Sequence, residues 1–599
     1  MPAVHEITLE HRAQLLRWAP LLIALSAMLV YANAVANGFV LDDQGVIREN
    51  PLVRSIDGVW RAFGKPYWPE ALGGYQYRPL AIAGFAIDWT VSGGSAAWFH
   101  TVNMLWHALA SLAVWYLAIA LLAPAGALAA ALLFALHPVH VEAVANVVGR
   151  LECMAALFTL AALLAHRRAH GSALLFFALG LLSKENAIVF LGLAVAHDLL
   201  LHGAPRTAMR ERRALYASYA GIVVLYAGLL AYLFRDGGFT TPSLTFEGAG
   251  TMERLLTVAT VVPRYLMLLL LPTHLSADYQ PGVIPPATSP FHPLVLLGVL
   301  ATGALAFAIG RAWRRTPELA FALAWIPITL APVSNVLFVS GVTLAERTLY
   351  LPSVGAVLLL GWGVDRLAQR NARPVLAAAA ALLVFYAART WTRTPVWRDN
   401  KIFLFTLLRD HPESYRAHSA AAKVHASLGQ LDEAARELAT ARHLFPRDPG
   451  NYTTGAEVAM ERGDYGTASV LLDSALLLRP RLAKVHLRQA DARYLLHDYR
   501  GAIAWAERGL ALAPDSARAR VLIAIAAREL ADTATAERAY REGVRHSPGV
   551  WQLRLGYADV LLARGDTGQA IEQATRAGEL SGGGRAASAF RDRITGGHE

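Results

Sequence analysis

The sequence predicts an all-α chain in two parts, a polytopic membrane bundle followed by an α-solenoid. Three observations carry this. Long apolar runs with few charges recur from Leu15 to about Ala388, in a chain that is 55% hydrophobic over 599 residues. Charge density rises sharply after that point. In the polar remainder, Pro412, Pro446, Pro480, Pro514 and Pro548 recur every 34 residues, and that is the tetratricopeptide period. The domain boundaries that follow are a transmembrane module over 1–395, a linker over 396–414, a five-repeat array over 415–582 and a flexible tail over 583–599.

The first apolar run, about 15–36, has Arg12 and Arg17 at its start and exceeds the core of a signal peptide, so it reads as an uncleaved span. The loop 37–96 is rich in aromatic and turn residues, including Gly73, Gly74 and Tyr75, and is expected to lie against the bilayer. Further spans are expected near 98–122, 126–143, up to Ala165, 171–182, 187–201, 214–234, 292–310, 317–338, 348–364 and 374–390. The run 255–271 is treated as embedded and non-crossing. That choice keeps Arg311, Arg314 and Arg315 on the same side as Arg206, Arg210, Arg212 and Arg213, and gives about eleven spans plus a re-entrant segment. The N-terminus is then cytoplasmic and the repeats are external, as in an inner or plasma membrane protein with a periplasmic C-terminal part.

Charge and cysteine content exclude little. The net charge of +10 is explained by short basic loops, so nucleic acid is not implied. Cys153 is the single cysteine, which rules out an intramolecular disulfide. No glycine-rich nucleotide loop is evident.

The same topology gathers Asp42, Asp43, Arg78, His137, His140, Glu142, Arg150, Lys184, Glu185, Glu346 and Arg347 at the external face. Each alone reads as an ion pair between span ends or a snorkelling side chain; together they suggest a shared site. The pair Asp42–Asp43 opens the first external loop, where ionised groups face a water-filled cavity or a polar partner. His137, His140 and Glu142 invite a metal reading. Spacings of three and then two residues, with Pro138 ending a helix, do not present three ligands on one face, so no metal is expected.

The combination Gly38-Phe39-Val40-Leu41-Asp42-Asp43, Tyr77-Arg78-Pro79-Leu80, His137-Pro138-Val139-His140-Val141-Glu142, Val148-Gly149-Arg150, Leu182-Ser183-Lys184-Glu185 and Ala345-Glu346-Arg347-Thr348-Leu349-Tyr350-Leu351-Pro352-Ser353 resembles the TMTC proteins. These are transmembrane and tetratricopeptide-repeat proteins of the GT-C glycosyltransferase class, and the chain looks like a bacterial or archaeal relative. It departs from the family at Leu151-Glu152 after Gly149-Arg150 and at Thr348. The resemblance implies an inverting transfer of mannose from a polyprenyl-phosphate donor to Ser or Thr hydroxyls of a protein acceptor. No cofactor is implied beyond that lipid-linked co-substrate, and the partners are the donor, a protein or peptide acceptor and membrane lipids.

The residues suit that chemistry on their own terms. Arg78, Arg150, Lys184 and Arg347 supply cations for a phosphate leaving group. Asp42 or Asp43 supplies a general base, and analogy with the acidic pair that opens the first external loop of related mannosyltransferases favours Asp42. His137, His140, Glu142, Glu185 and Glu346 complete the donor-binding set. In the array, Ala422, Ala456, Ala490, Ala524 and Ala558, with Ala434, Ala468, Ala502, Ala536 and Ala570, mark where paired helices touch. Such arrays form a concave binding surface, here read as holding the acceptor. The alternative is a non-catalytic membrane scaffold whose repeats recruit partners.

Overall fold

The computed structural model describes residues 2–69, 76–168, 171–202, 205–235, 246, 249–280, 282–580, 582 and 584–595. Gly73, Gly74 and Tyr75 lie outside the described residues, as do positions 583 and 596–599 of the expected tail. Among the described residues the regular structure is helical throughout. The chain divides into two compact units, Met1–Ser414 and Tyr415–Glu599.

Among the described residues of the first unit, five helices are long and apolar enough to cross a membrane: Leu16–Ala36, Val147–Arg167, Arg213–Leu233, Pro293–Ala312 and Ala372–Trp397. A sixth candidate is the pair Pro124–Leu136 and Pro138–Val144, bent by 41°. This is fewer than the sequence predicts, and the reasons are local. Pro138 has no amide hydrogen and forces the preceding residue out of the helical region, so the third run breaks at His137 (ψ 123°). The runs at 171–182 and 187–201 form short helices, Ser172–Ser183 and Phe190–Leu200, separated at Lys184. The run 317–338 is helical only over Pro317–Leu330 and the single turn Ala331–Val333, and Asn335 then takes a left-handed conformation (φ 60°). The loop 37–96 is not all loop, since Pro79–Ser92 is a helix that buries Ala81, Ile82, Phe85 and Ala86. The segment read as non-crossing is one continuous helix, Thr251–Leu270, and is not among the helices apolar enough to span.

The expected linker is part of the first unit. Its backbone and side chains close on the loop after the first apolar helix: Arg398 accepts from the Gly38 amide (2.8 Å), and the Asn400 carboxamide accepts from the Leu41 amide (2.9 Å). Asn37 donates to Thr394 (3.2 Å), and Asn400–Asp410 is itself helical. A Cβ on Gly38 would come to 3.2 Å from the Arg398 carbonyl, so glycine permits this approach.

The second unit is a stack of helix pairs whose first members start at Tyr415, Pro449, Ala483, Ala517 and Trp551, and whose second members start at Leu431, Tyr465, Tyr499, Thr533 and Thr567. All ten small residues expected at helix contacts are buried. From the second pair on, an aspartate caps each second helix, Asp464, Asp498, Asp532 and Asp566, each accepting from a backbone amide in the first turn. Such a cap contributes about 1 kcal/mol. Charge follows the same frame: Glu457 meets Arg488 (3.1 Å) in the next pair, and Asp491 meets Arg518 (2.5 Å) in the one after. The tail was expected to fray, but Gly584–Thr595 is helical and buries Ala587 and Phe590 against the last pair.

Candidate functional site

Asp42 and Asp43 have different surroundings. Leu41 is held at φ 51°, a conformation costly for a branched side chain, and its amide is fixed by Asn400. The chain then turns so that Asp42 is exposed while Asp43 is 1% exposed. One Asp43 carboxylate oxygen accepts from the Val40 amide (3.0 Å) and the other from the Val148 amide (2.9 Å). Asp43 thereby ties the first loop to the turn before Arg150. Burial pushes its carboxyl up to about 7, against the pull of those two amides.

Three of the four expected cations stand at helix ends, and one of them, Arg347, is close enough to Asp42 to feel its charge. Arg78 precedes Pro79 at a helix start, Lys184 follows Ser183 at a helix end, and Arg347 lies in the turn Glu346–Leu349 before Pro352–Ala368. Each is paired with a carboxylate. Arg78 holds Glu185 through two hydrogen bonds, Nε–Oε2 3.0 Å and Nη2–Oε1 2.6 Å. The Lys184 ammonium donates to Glu152. Arg347 donates to Glu142 from Nη1 and also from its backbone amide (2.9 Å).

These pairs act on one another. The Arg347 guanidinium is held above its ordinary range by Glu142 first, against burial, with Asp42 and Glu152 adding to it. Burial pulls the Lys184 ammonium down while Glu152 opposes, and Arg78, Glu185 and Arg347 are all close enough to contribute. The charge of Asp42 reaches the buried Tyr67 hydroxyl, over whose ring the Arg78 guanidinium lies at 5.1 Å.

The pairs leave donors over. Among the described residues, Arg347 donates from Nη1 and leaves its Nε and Nη2 edge over, Arg78 keeps Nη1, and Lys184 commits one of its three hydrogens. Arg347 is 35% exposed and Glu185 45%, so the group opens outward at these two. An anion entering there meets three cations and competes with Glu185, the most exposed of their partners.

The other expected residues are elsewhere. Arg150 is 1% exposed and fully engaged, with Asp88 on Nη1, Asn103 Oδ1 on Nε (2.6 Å) and the Phe99 carbonyl on Nη2 (3.1 Å). Asn103 in turn donates to the carbonyls of Val144, Asn146 and Val147. Arg150 is therefore a packing node for the helices around the site and reaches no open surface. Glu346 is buried as well. It accepts from the Tyr279 hydroxyl (2.7 Å) and the Ser276 amide, and burial pushes its carboxyl up to about 8. His137 contacts the Leu269 carbonyl (3.1 Å) and accepts from the Val139 amide, while His140 bonds Ser353 (2.8 Å). Both imidazoles pack edge-on or tilted in a nest of rings with His107, Tyr350 and Tyr386.

Sequence reasoning missed Asp88, Asn103, His107, Tyr67 and Tyr279, and it noted Glu152 without giving it a partner. For Asp88, Asn103 and His107 the signal was a polar residue inside an apolar run, which needs a partner once buried. Among the described residues, one cluster has metal-ligand spacing, His166 with His197 and Asp198. Arg212 donates to both Asp198 and His166 there (3.2 Å to His166), so a protein cation already fills the position.

No family model matches the chain. Protein O-mannosyl-transferase F38B6.6 of Caenorhabditis elegans is 27% identical over 453 residues, 73% of this chain and 64% of that protein. Human Protein O-mannosyl-transferase TMTC4 is 28% identical over 487 residues, 70% of this chain and 65% of its own length. Drosophila melanogaster Protein O-mannosyl-transferase Tmtc3 is 29% identical over 463 residues, covering 63% and 50%. The chain thus spans under two thirds of the length of these relatives. Likeness to solved structures is low: MamA at TM-score 0.26 and 18% identity, covering 26% of this chain and 92% of MamA, and the TPR protein YrrB at 0.27 and 14%, covering 32% and 97%. In sequence the chain is similar to proteins that bear the name protein O-mannosyl-transferase, TMTC4 and Tmtc3 among them.

Proposed function

We propose that the chain is a membrane glycosyltransferase of the GT-C kind that moves a sugar, mannose by analogy with its relatives' names, from a polyprenyl phosphate to Ser or Thr hydroxyls. The observation that carries the reading is the group of three cations with uncommitted donors, of which Arg347 feels the charge of the exposed Asp42. Arg347, Lys184 and Arg78 bind the donor phosphate through charge-assisted hydrogen bonds. The acceptor oxygen attacks the anomeric carbon, the bond from that carbon to the phosphate oxygen breaks, and polyprenyl phosphate leaves. The hydroxyl proton passes to Asp42, and the sugar's configuration inverts. Charge develops on the departing phosphate, so cations held in place stabilise the transition state more than the ground state. The site faces the external side, and the repeats hold the polypeptide acceptor.

Arg347→Ala tests the reading. Removing one partner of a close charge pair costs about 2–5 kcal/mol, which is at least about 30-fold in kcat/KM for the donor. The change leaves Glu142 buried without its cation, so the double variant Arg347→Ala/Glu142→Gln serves as a folding control. Near-normal kinetics at limiting donor in both would remove Arg347 from the site.

A further inference from the structure

The turn that carries Asp42 is held from the far end of its unit. Leu41, the residue before Asp42, has φ 51°, and a branched side chain keeps that conformation only where its surroundings impose it. The turn's own bonds serve other groups. Asp43 takes the Val40 amide (3.0 Å), the Asp43 amide donates to the Val40 carbonyl (3.1 Å), and the Gln44 amide donates to the Leu41 carbonyl (3.1 Å). The Leu41 amide donates instead to the Asn400 carboxamide (2.9 Å), 359 residues on in sequence.

Asn400 stands on a firm mount. It opens the helix Asn400–Asp410, whose cap Asp399 accepts from the Ile402 amide (2.8 Å) and whose last residue, Asp410, pairs with Arg393 (2.7 Å) at the end of Ala372–Arg393. Three more bonds tie the chain before Leu41 to the same stretch. Asn33 donates to the Trp391 carbonyl (2.9 Å), Asn37 to the Thr394 carbonyl (3.2 Å) and the Gly38 amide to the Arg398 carbonyl (2.8 Å). The two stretches therefore advance together, and the last rung is the one beside Asp42. The first three rungs end on backbone carbonyls, which any residue at 391, 394 and 398 supplies. The fourth ends on a side chain, so the identity of residue 400 decides it.

We infer that Asn400 is a positioning residue: its carboxamide holds Leu41 in the left-handed conformation and so sets where the Asp42 carboxylate stands. This rests on the reading of Asp42 as the general base. A base spread over many orientations spends less time within reach of the acceptor proton, so loss of the bond falls on the chemical step and not on donor binding.

The test uses the purified full chain in vesicles, with a polyprenyl phosphate carrying radiolabelled mannose and a Ser/Thr peptide. Asn400→Ala should melt normally, because Asn400 is exposed. It should lower kcat at least about fivefold with KM for the donor unchanged. Asn400→Asp keeps an acceptor for the Leu41 amide and should recover kcat to within about twofold. Added to Asp42→Asn, Asn400→Ala should lower kcat no further, since no base is left to misplace. Normal kcat in Asn400→Ala, or an equal fold-loss in both backgrounds, would overturn the inference. A nitroxide on Asp42→Cys reports the turn without any chemistry, and the buried Cys153 does not compete for the label. Its spectrum should sharpen toward that of a free side chain in Asn400→Ala and stay broad in Asn400→Asp. If the unsubstituted chain transfers no sugar, the glycosyltransferase reading fails and the label alone decides the inference, an unchanged spectrum in Asn400→Ala overturning it. Asn400→Leu, close in shape to asparagine, replaces Asn400→Ala should that variant not fold.

Discussion

Asp42→Asn and Asp43→Asn should fail in different ways. The Asp43 carboxylate receives two backbone amides, one on each oxygen. Asparagine keeps one acceptor and turns an NH₂ group toward the other amide. The variant therefore loses a hydrogen bond and leaves a buried donor unpaired, which together cost about 1–3 kcal/mol. The bond to Val148 joins the first loop to the turn preceding Arg150, so the loss should loosen the site as well. Asp42 is exposed, and its replacement should leave stability within about 0.5 kcal/mol. Loss of a general base lowers the chemical step by roughly 10²–10⁴-fold. The assay is a pair of readings on each purified variant, apparent melting in detergent and sugar transfer at saturating donor. Asp43→Asn should melt early and transfer in proportion to the folded fraction; Asp42→Asn should melt normally and not transfer. The reasoning fails if Asp43→Asn melts normally and is inactive, or if Asp42→Asn transfers at the normal rate.

Two further outcomes follow from the same contacts. Burial holds the Glu346 carboxyl near 8, above its ordinary value of 4.5, so the folded state keeps a proton that the unfolded chain has lost. Its contribution to stability is full below about pH 4.5 and is lost as pH rises through 8; Glu346→Gln should flatten that part of the melting-against-pH curve, and an unchanged slope would place the titration elsewhere. Truncation after Ser414 keeps the clips that Arg398, Asn400 and Asp410 make within the first unit; with folding verified, it should lose transfer to a folded protein acceptor and retain transfer to a short peptide, and equal loss of both would separate the repeats from acceptor choice.

The repeat unit was legible because its period is written in small and proline side chains, and the alanines expected at helix contacts are the ones the packing buries. The cations Arg78, Lys184 and Arg347 were legible because each adjoins a helix end, and prolines at 79 and 352 mark two of those ends. Arg150 was misread for a tertiary reason. Its partner Asp88 lies on Pro79–Ser92, a helix inside a stretch that reads as loop, and Asn103 comes from a third helix. The length of the first unit's helices was misjudged because hydropathy does not register a break such as His137-Pro138 or the left-handed Asn335. The stretch 396–414 reads as a linker and the tail as flexible, yet backbone carbonyls and a few buried apolar residues build 396–414 and 584–595 into their units.

The most direct measurement is transfer itself. The purified full chain, in vesicles with a polyprenyl phosphate carrying radiolabelled mannose, is given a Ser/Thr-containing polypeptide and the label in the polypeptide is followed. The account predicts alkali-labile label on hydroxyl side chains, formed with inversion at the anomeric carbon and lost in Asp42→Asn. A folded protein that binds the lipid donor yet leaves every hydroxyl acceptor unlabelled would contradict it.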